Sequence, residues 1–445
     1  MTAGSVAAPR RAPDDQAPPV AGRAVVTGIG VVSPAGTGHA EHWRAVLAGR
    51  RRIGPITLFD ATGYPTTLAG EVTGFDPARW ADSRRLVQTD RWTHLGFAAT
   101  LLALDDAGLP VTADDPYAYG VTLASSSGGN LFGQRELQRL WSQPARTVGA
   151  YQSIAWFYAA SVGQVSIHHQ FKGPCGVLVA EAAGGLDSLA HAARMIRRGT
   201  PVVLAGATEC PLSPYALSCQ LRSGQLSGAT DPDRAYRPFD VTAAGYVPGE
   251  GGAVFVVEDA AHAAARGARV YAEVAGWGAT HDAAHTRRDR AGDPGQYARA
   301  LRLALTRAGV GPDEVDLVVP DALGVPGRDR SEAAALRQVF GGRTPPVTTQ
   351  KPLVGRAHQG GAALDVANAL LALAHQVLPA TTGVDLPGEG CELNFAWRSR
   401  PRPLDVALVG ARGFDGFNSA LLLRRRPTPS EVGDHHVEPY RLPGR

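Results

Sequence analysis

The sequence predicts an α/β protein, because short apolar strands alternate with amphipathic helices through both halves of the chain. The two halves, residues 23–266 and 267–424, also have their elements in a similar order, which indicates an internal duplication. The segment from Gly173 to Glu209 displays the pattern best, as an apolar run, a glycine turn, a helix and a second apolar run.

Within this segment, Val177-Leu178-Val179 is typical of a buried strand, and Gly184-Gly185 predicts a sharp turn with close backbone approach. A helix follows, and Val202 begins the next strand. Such a strand-turn-helix junction suits a nucleophile, because a helix N-terminus favours negative charge. This junction, however, offers Ala182 and Ala183 where such a site would carry Cys or Ser.

Composition excludes several classes of function. The chain has 445 residues, enough for one large two-part globule, and a formal net charge of +3, too small to indicate a nucleic-acid surface. We find neither a signal peptide nor an apolar run long enough to span a membrane. The cysteines show no pairing or metal-site spacing, which favours reduced thiols in a cytoplasm; they are Cys175, Cys210, Cys219 and Cys391.

The first half begins, by this interpretation, with a disordered leader over residues 1–22. A buried strand starts at Ala24 and leads into Gly28-Ile29-Gly30. A glycine-rich loop after a first strand is a weak dinucleotide signal. Since Ser33 stands at the third glycine position, a structural turn is the favoured interpretation.

Further elements follow in alternation. Helices are predicted around Trp43, around Leu95–Leu102 and over 133–142, with a strand at Tyr119–Leu123. The aromatic stretch Tyr151–Gln164 is interpreted as core or a subunit interface rather than a ligand box.

Late in the first half, the loop from Gly245 to Gly252 lacks the Lys-Ser or Lys-Thr of a phosphate-binding loop and is interpreted as structural. His281, Asp282 and His285 could be metal ligands, but a flexible loop is favoured because no regular element places them together. Residues 425–445 are expected to form a flexible tail.

Several separated motifs occur in a fixed order. They are Thr27-Gly28-Ile29-Gly30, Gly185-Leu186-Asp187, Arg237-Pro238-Phe239-Asp240, Gly249-Glu250-Gly251, Lys351 ahead of a glycine, and a closing glycine loop with Phe414 and Asn418. In this order and at these separations, the chain resembles the β-ketoacyl synthases of the thiolase fold. The resemblance implies two duplicated βαβαβαββ-type halves in a five-layered αβαβα architecture.

Active members of that family use a Cys to hold the acyl chain and two His residues to polarise the malonyl thioester as it loses carbon dioxide. The corresponding positions here are Ala182, Leu323 and Arg356. The resemblance therefore implies a subunit without catalytic residues. His358, two residues beyond Arg356, is not expected to occupy the missing place.

The three losses, together with the strings at 153–159, 179–187 and 321–326, resemble one subgroup, the chain length factors (KSβ subunits) of bacterial type II polyketide synthases. The resemblance implies a cytoplasmic subunit that pairs with an active ketosynthase (KSα) through the strand at about 175–180. It implies substrates carried on the phosphopantetheine of an acyl carrier protein, with no bound cofactor or metal. The subgroup usually has Gln at the junction, so Ala182 weakens any proposal that this chain decarboxylates malonyl groups.

The resemblance also places a product tunnel along the subunit interface, lined by the helix after Gly128-Gly129. The tunnel-closing positions correspond to Asn130, Gly133 and Leu137, where relatives often carry bulkier side chains. We expect a long product channel, which Gly133→Trp should shorten. Alternatively, these are ordinary packing positions of an interface helix.

Two other functions stay open. The chain could be a self-sufficient or homodimeric acyltransferase that uses another nucleophile, although the sequence supplies no base or junction for one. The candidates are Cys210, Ser213 and Cys219. It could also be a homodimeric scaffold or acyl-binding protein.

Overall fold

The structure, a computed structural model, describes residues 22–144, 147–283 and 292–426. The predicted leader up to residue 21, the predicted tail from 427 onward and His285 lie outside the described residues. The strands are β1 (Ala24–Ser33), β2 (Gly36–Thr37), β3 (Ile53–Pro55), β4 (Leu68–Gly70), β5 (Tyr119–Ala124), β6 (Cys175–Leu178), β7 (Val202–Glu209), β8 (Gly251–Asp259), β9 (Ala272–His281), β10 (Leu317–Val319), β11 (Val377–Leu378), β12 (Arg400–Pro401), β13 (Val406–Arg412) and β14 (Phe417–Arg424). The helices are α1 (His39–Leu47), α2 (Ser83–Gln88), α3 (Arg91–Ala107), α4 (Asn130–Ser142), α5 (Gln152–Ala155), α6 (Ala160–His169), α7 (Ala183–Arg197), α8 (Pro214–Leu221), α9 (Ala260–Ala265), α10 (Pro294–Ala308), α11 (Pro326–Phe340), α12 (Lys351–Val354) and α13 (His358–His375).

The two halves repeat one strand order. The first half runs β6-β5-β7-β8-β1 across its sheet, with β8 antiparallel to both neighbours. In the second half, β10, β13, β14 and β9 follow the same order, and the backbone at Val347 pairs with Val318 in the place that β6 holds in the first half. Short antiparallel pairing between β1 and β9 joins the two half-sheets. The shared order supports the predicted duplication.

Helices form three layers around the half-sheets. Helices α7 and α13 pack on each other and on strands of both halves, so they form the central layer. Helix α13 is buried on all sides, as its nearly continuous apolar sequence requires. Helix α3 covers the outer face of β1 and β8, and α10 covers the outer face of β9 and β14, with α11 packed on α10. The five-layered architecture is therefore the one expected.

The turn predicted at Gly28-Ile29-Gly30 is wrong, because these residues lie inside β1. A Cβ atom at Gly28 would lie 2.2 Å from the carbonyl oxygen of Ala103, and one at Gly30 would lie 1.8 Å from that of Ala99. The glycines therefore let α3 approach the strand closely. Close approach of another backbone is a common reason for glycine within a strand.

Strand β6 is not the buried strand expected from Val177-Leu178-Val179. Among the described strands it pairs only with β5, at one end of the sheet, and the adjoining Val179 is 46% exposed. Trp156, Phe157 and Tyr158 are also large and exposed. An apolar edge strand and exposed aromatic side chains are features of a surface that another chain covers.

Among the described residues, no helix is long and apolar enough to cross a membrane. The same part of the chain holds no group of three His, Cys, Asp or Glu side chains able to bind a metal ion.

Candidate functional site

The junction between β6 and α7 turns at Glu181. This residue adopts a φ of +46°, and Ala182 immediately precedes the first residue of the helix and is 1% exposed. The sharp turn predicted at Gly184-Gly185 is wrong, since both glycines lie in the first turn of α7. They serve the expected close backbone approach instead: a Cβ atom at Gly185 would lie 2.4 Å from the backbone oxygen of Gln359 on α13.

Ala182, Leu323 and Arg356 are called the degenerate positions here, because the resemblance places catalytic residues there. The second of them, Leu323, lies in the loop between β10 and α11. Two buried acidic side chains at the start of α11 hold this loop. Glu332 accepts hydrogen bonds from the backbone N–H groups of Asp321 (2.7 Å) and Ala322 (2.9 Å), and Asp329 accepts one from Gly324 (3.0 Å). The loop is thus fixed on both sides of Leu323.

The third position, Arg356, sits between α12 and α13 with its side chain 3% exposed. Its Nη1 donates to both carboxylate oxygens of Asp321 at 3.2 Å, and its Nη2 donates to Glu181 Oε2 at 3.4 Å. Nη2 also donates to the backbone oxygen of Arg412 at 3.2 Å. The guanidinium therefore joins the junction to the Leu323 loop through two acids.

Glu181 is the centre of this network. Besides Arg356, its carboxylate accepts from Nδ1 of His358 at 2.5 Å and from the backbone N–H of Phe414 at 2.8 Å. Burial raises the pKa of Glu181, but Arg356 and His358 outweigh burial and hold that pKa well below its usual range. Burial tends to lower the pKa of Arg356, but the charges of Asp321 and Glu181 outweigh burial and raise that pKa well above its ordinary value. A guanidinium held charged in this way cannot act as a general base.

These residues face a cavity of about 460 Å³. Leu323 and Arg356 line it, with Glu181, His358 and Cys219. The cavity thus brings Leu323 and Arg356 together with an acid, an imidazole and a thiol that are distant from one another in the sequence or were not predicted to share a site.

The family-motif residues support this geometry. Lys351 and Asp365 form a buried ion pair that ties α12 to α13, and each side chain is 2% exposed. Burial raises the pKa of Asp365 to about 6, with Lys351 opposing the rise. Asn418 donates to Oδ1 of Asp282 at 2.6 Å and fixes the closing loop that carries Phe414.

The other candidate nucleophiles differ in accessibility. Burial, together with the neighbouring Glu250 carboxylate, raises the pKa of the Cys210 thiol, which makes it a poor nucleophile. Ser213 is 1% exposed and accepts the N-terminal hydrogen bond of α8 from Ala216. Cys219 is exposed and faces the cavity, so it is the strongest of the three.

The expected tunnel positions lie along α4. Asn130 is its first residue, Leu137 is 46% exposed, and Gly133 is buried. The free space expected at Gly133 is occupied by a side chain, because a Cβ atom there would lie 2.5 Å from Cδ1 of Trp156. The substitution Gly133→Trp would therefore have to displace that indole.

Stability should depend on pH through Asp329. Burial and the charges of Glu332 and Asp321 raise its pKa to about 8, against about 3.9 for an unfolded aspartate. The folded chain then binds more protons than the unfolded chain between these values, so the contribution of Asp329 to the free energy of unfolding falls as pH rises from about 4 to 8.

Urea unfolding at pH 5, 6.5 and 8 should show the stability of the natural chain decreasing relative to Asp329→Asn across this interval. A relative stability that rises with pH would contradict the assignment.

Comparisons with known proteins agree with this geometry. The model of the β-ketoacyl synthase N-terminal domain matches residues 22–263, and that of the C-terminal domain matches residues 271–385. A putative polyketide β-ketoacyl synthase 2 of Streptomyces coelicolor is 52% identical over 413 residues, covering 92% of this chain and 96% of the relative. The tetracenomycin polyketide synthase ketoacyl synthase beta subunit of Streptomyces glaucescens is 51% identical over 405 residues, covering 90% and 98%.

Solved structures give the same result. The ishigamide ketosynthase/chain length factor superposes with a TM-score of 0.85 at 28% identity, covering 92% of this chain and all of that chain. A type II polyketide synthase acyl carrier protein in complex with its ketosynthase bound to the hexaketide gives a TM-score of 0.80 at 25% identity, with the same coverage.

Proposed function

Because the chain belongs to the β-ketoacyl synthase family, we propose that it is the chain length factor subunit of a type II polyketide synthase. It pairs with an active ketosynthase and shapes the channel into which the polyketide grows. The relatives at about half identity carry the names of synthase 2 or beta subunits of such systems, which supports this assignment.

The observation that carries the proposal is the converted site. Where the family places a nucleophile and two imidazoles, this chain has the buried methyl group of Ala182, the aliphatic Leu323 and a fully ion-paired Arg356. None of these can form a thioester or donate to an enolate in the manner of neutral imidazole. The chain retains the fold of the family, and the partner subunit carries out the condensation.

The surface for that partner is the β6 edge with the exposed aromatic residues. Unpaired N–H and C=O groups on an edge strand can add a strand from another chain. The exposed Trp156, Phe157 and Tyr158 add large apolar side chains of the kind enriched at interfaces.

The substrate is the acyl chain on the phosphopantetheine of an acyl carrier protein, in keeping with the complex seen for the related ketosynthase. No cofactor takes part in this account. The free cysteines support a reducing compartment, and we infer the cytoplasm.

Helix α4 is the part of the chain that lines the channel in this proposal. Two buried acids hold the start of this region: Asp90 accepts from the backbone N–H of Phe132 in the first turn of α4 at 2.9 Å, and Glu209 accepts from that of Ser126 in the preceding loop at 2.7 Å. Such anchoring keeps the face with Asn130, Gly133 and Leu137 in a fixed position, as a wall that measures length requires.

Restoring the cysteine should not restore catalysis. In Ala182→Cys, the new thiol would lie at the N-terminus of α7, but Leu323 and Arg356 still replace both imidazoles. We expect no product from this variant when it is paired with a ketosynthase whose own cysteine is replaced by alanine.

The measurement is product formation by mass spectrometry, with Cys219→Ser as the control for the alternative nucleophile. With an unaltered partner, Cys219→Ser should keep the natural product yield. Loss of product in Cys219→Ser would favour a self-sufficient acyltransferase that uses Cys219, which the exposure of this thiol in the cavity makes the second candidate function.

A further inference from the structure

The Gly128-Gly129 turn that leads into α4 packs directly on the segment Ala155–Trp156. A Cβ atom at Gly129 would lie 1.9 Å from the carbonyl oxygen of Ala155, and one at Gly128 would lie 2.5 Å from that of Trp156. The backbone N–H of Gly129 donates to the Trp156 oxygen at 3.1 Å. Side chains at these two positions would push the segment away, so the glycines let it lie against the N-terminus of α4.

The indole of Trp156 covers Gly133. The nearest atoms to a Cβ at Gly133 are Cδ1 at 2.5 Å and Nε1 at 3.2 Å of that ring. The space beside Gly133 is therefore filled by the indole of Trp156, which belongs to another segment of the chain.

The ring also faces outward. Trp156 is 49% exposed, and Leu137, one turn beyond Gly133 on the same face of α4, is 46% exposed. One side of the indole thus packs on the helix while another lies on the surface where we propose that the partner subunit closes the channel.

The main chain of Trp156 is hydrogen-bonded on both sides. Trp156 donates its backbone N–H to Gln152 at 3.2 Å and accepts from Gly129, so its main chain is tied to α5 and to α4. A tryptophan side chain has only two rotatable bonds, and contact with Gly133 restricts them further. The indole therefore lies against α4 at Gly133 on a main chain that is hydrogen-bonded on both sides.

We propose that Trp156 is a residue that determines product length, its indole supplying the channel wall that an α4 side chain would otherwise supply at Gly133. The inference rests on the proposed function and deepens it, since it moves the limiting side chain from the helix to a neighbouring segment. Removing the indole should open the channel, and pushing it outward should narrow the channel.

The test uses the heterodimer with its ketosynthase and acyl carrier protein, with product lengths read by mass spectrometry. Trp156→Ala should shift the distribution toward longer chains by one extension unit or more, and Trp156→Phe should shift it less. Trp397→Ala is the matched control, because Trp397 is 54% exposed and lies in the second half of the chain, away from α4. It should leave product length unchanged.

A double-mutant cycle makes the test specific to this contact. In Gly133→Ala, the added methyl group would meet the indole and force it toward the channel, so products should shorten. In Gly133→Ala/Trp156→Ala, the methyl group has room, and the products should return to the length of Trp156→Ala alone.

The outcomes distinguish failure of the proposed function from failure of the role of Trp156. If the natural chain and its ketosynthase give no product together, the proposed function fails. If they give product, and Trp156→Phe and Gly133→Ala both keep the natural length distribution, the role of Trp156 is overturned even where Trp156→Ala does not assemble. Additive effects in the cycle would also overturn it.

Discussion

Replacing Arg356 with methionine should lower the free energy of unfolding by about 3–5 kcal/mol. The substitution removes the shared partner of Glu181 and Asp321, whose side chains are 17% and 2% exposed, and leaves two acids buried without their cation. The cost of an uncompensated buried charge far exceeds that of a lost surface pair. Urea unfolding of the purified chain, followed by circular dichroism, measures the effect.

Two controls define the cause. In Glu181→Gln/Asp321→Asn/Arg356→Met, the acids are neutral as well, and most of the lost stability should return. Arg426 forms a more exposed pair with Glu273 at 2.6 Å, and Arg426→Met should cost less than about 1 kcal/mol. If Arg356→Met costs no more than Arg426→Met, the ion network does not hold the converted site together.

A proline at Val177 should disrupt the heterodimer while the chain itself stays folded. Val121 N–H donates to Pro174 O, and Ser125 N–H donates to Leu178 O, so even-numbered residues of β6 face β5. In a parallel pair the groups alternate, and the N–H of Val177 therefore points to the free edge. Proline removes that donor without removing a bond to β5.

The expected loss is large because a partner carbonyl would be buried unpaired. Such a group costs about 1–3 kcal/mol, which corresponds to roughly fivefold to 150-fold weaker association, and the proline ring adds a steric clash. Analytical ultracentrifugation of the mixed subunits should show dissociation for Val177→Pro and normal assembly for Val177→Thr, which keeps the N–H and the β-branched shape. Normal assembly of the proline variant would mean that β6 is not the pairing edge.

Much of the fold could be predicted because its signals are local. The periodicity around Leu95 predicted α3, and the apolar run at Tyr119 predicted β5. Glycine was ambiguous, since it permits both turns and close packing; Gly28, Gly30, Gly184 and Gly185 all serve packing. The buried interpretation of β6 failed because apolar residues on an edge strand look the same in sequence as those in a core.

Motif order was enough to propose Ala182, Leu323 and Arg356 as the degenerate positions, but it could not predict their contacts. Arg356 and its acid Glu181 are separated by 175 residues, and only the fold brings them together. A buried arginine requires an acidic partner, so the sequence could indicate that Arg356 has such a partner but not which residue it is. The contact of Trp156 with Gly133 is likewise decided by packing between segments, which periodicity does not report.

The central claim is that this chain assists condensation without performing it. Co-expression with a ketosynthase, followed by native mass spectrometry of the purified species and an assay for condensation, tests this most directly. The account predicts a one-to-one heterodimer whose product formation disappears when the ketosynthase's cysteine is replaced. A stable homodimer that binds no ketosynthase, or condensation by this chain alone, would contradict it.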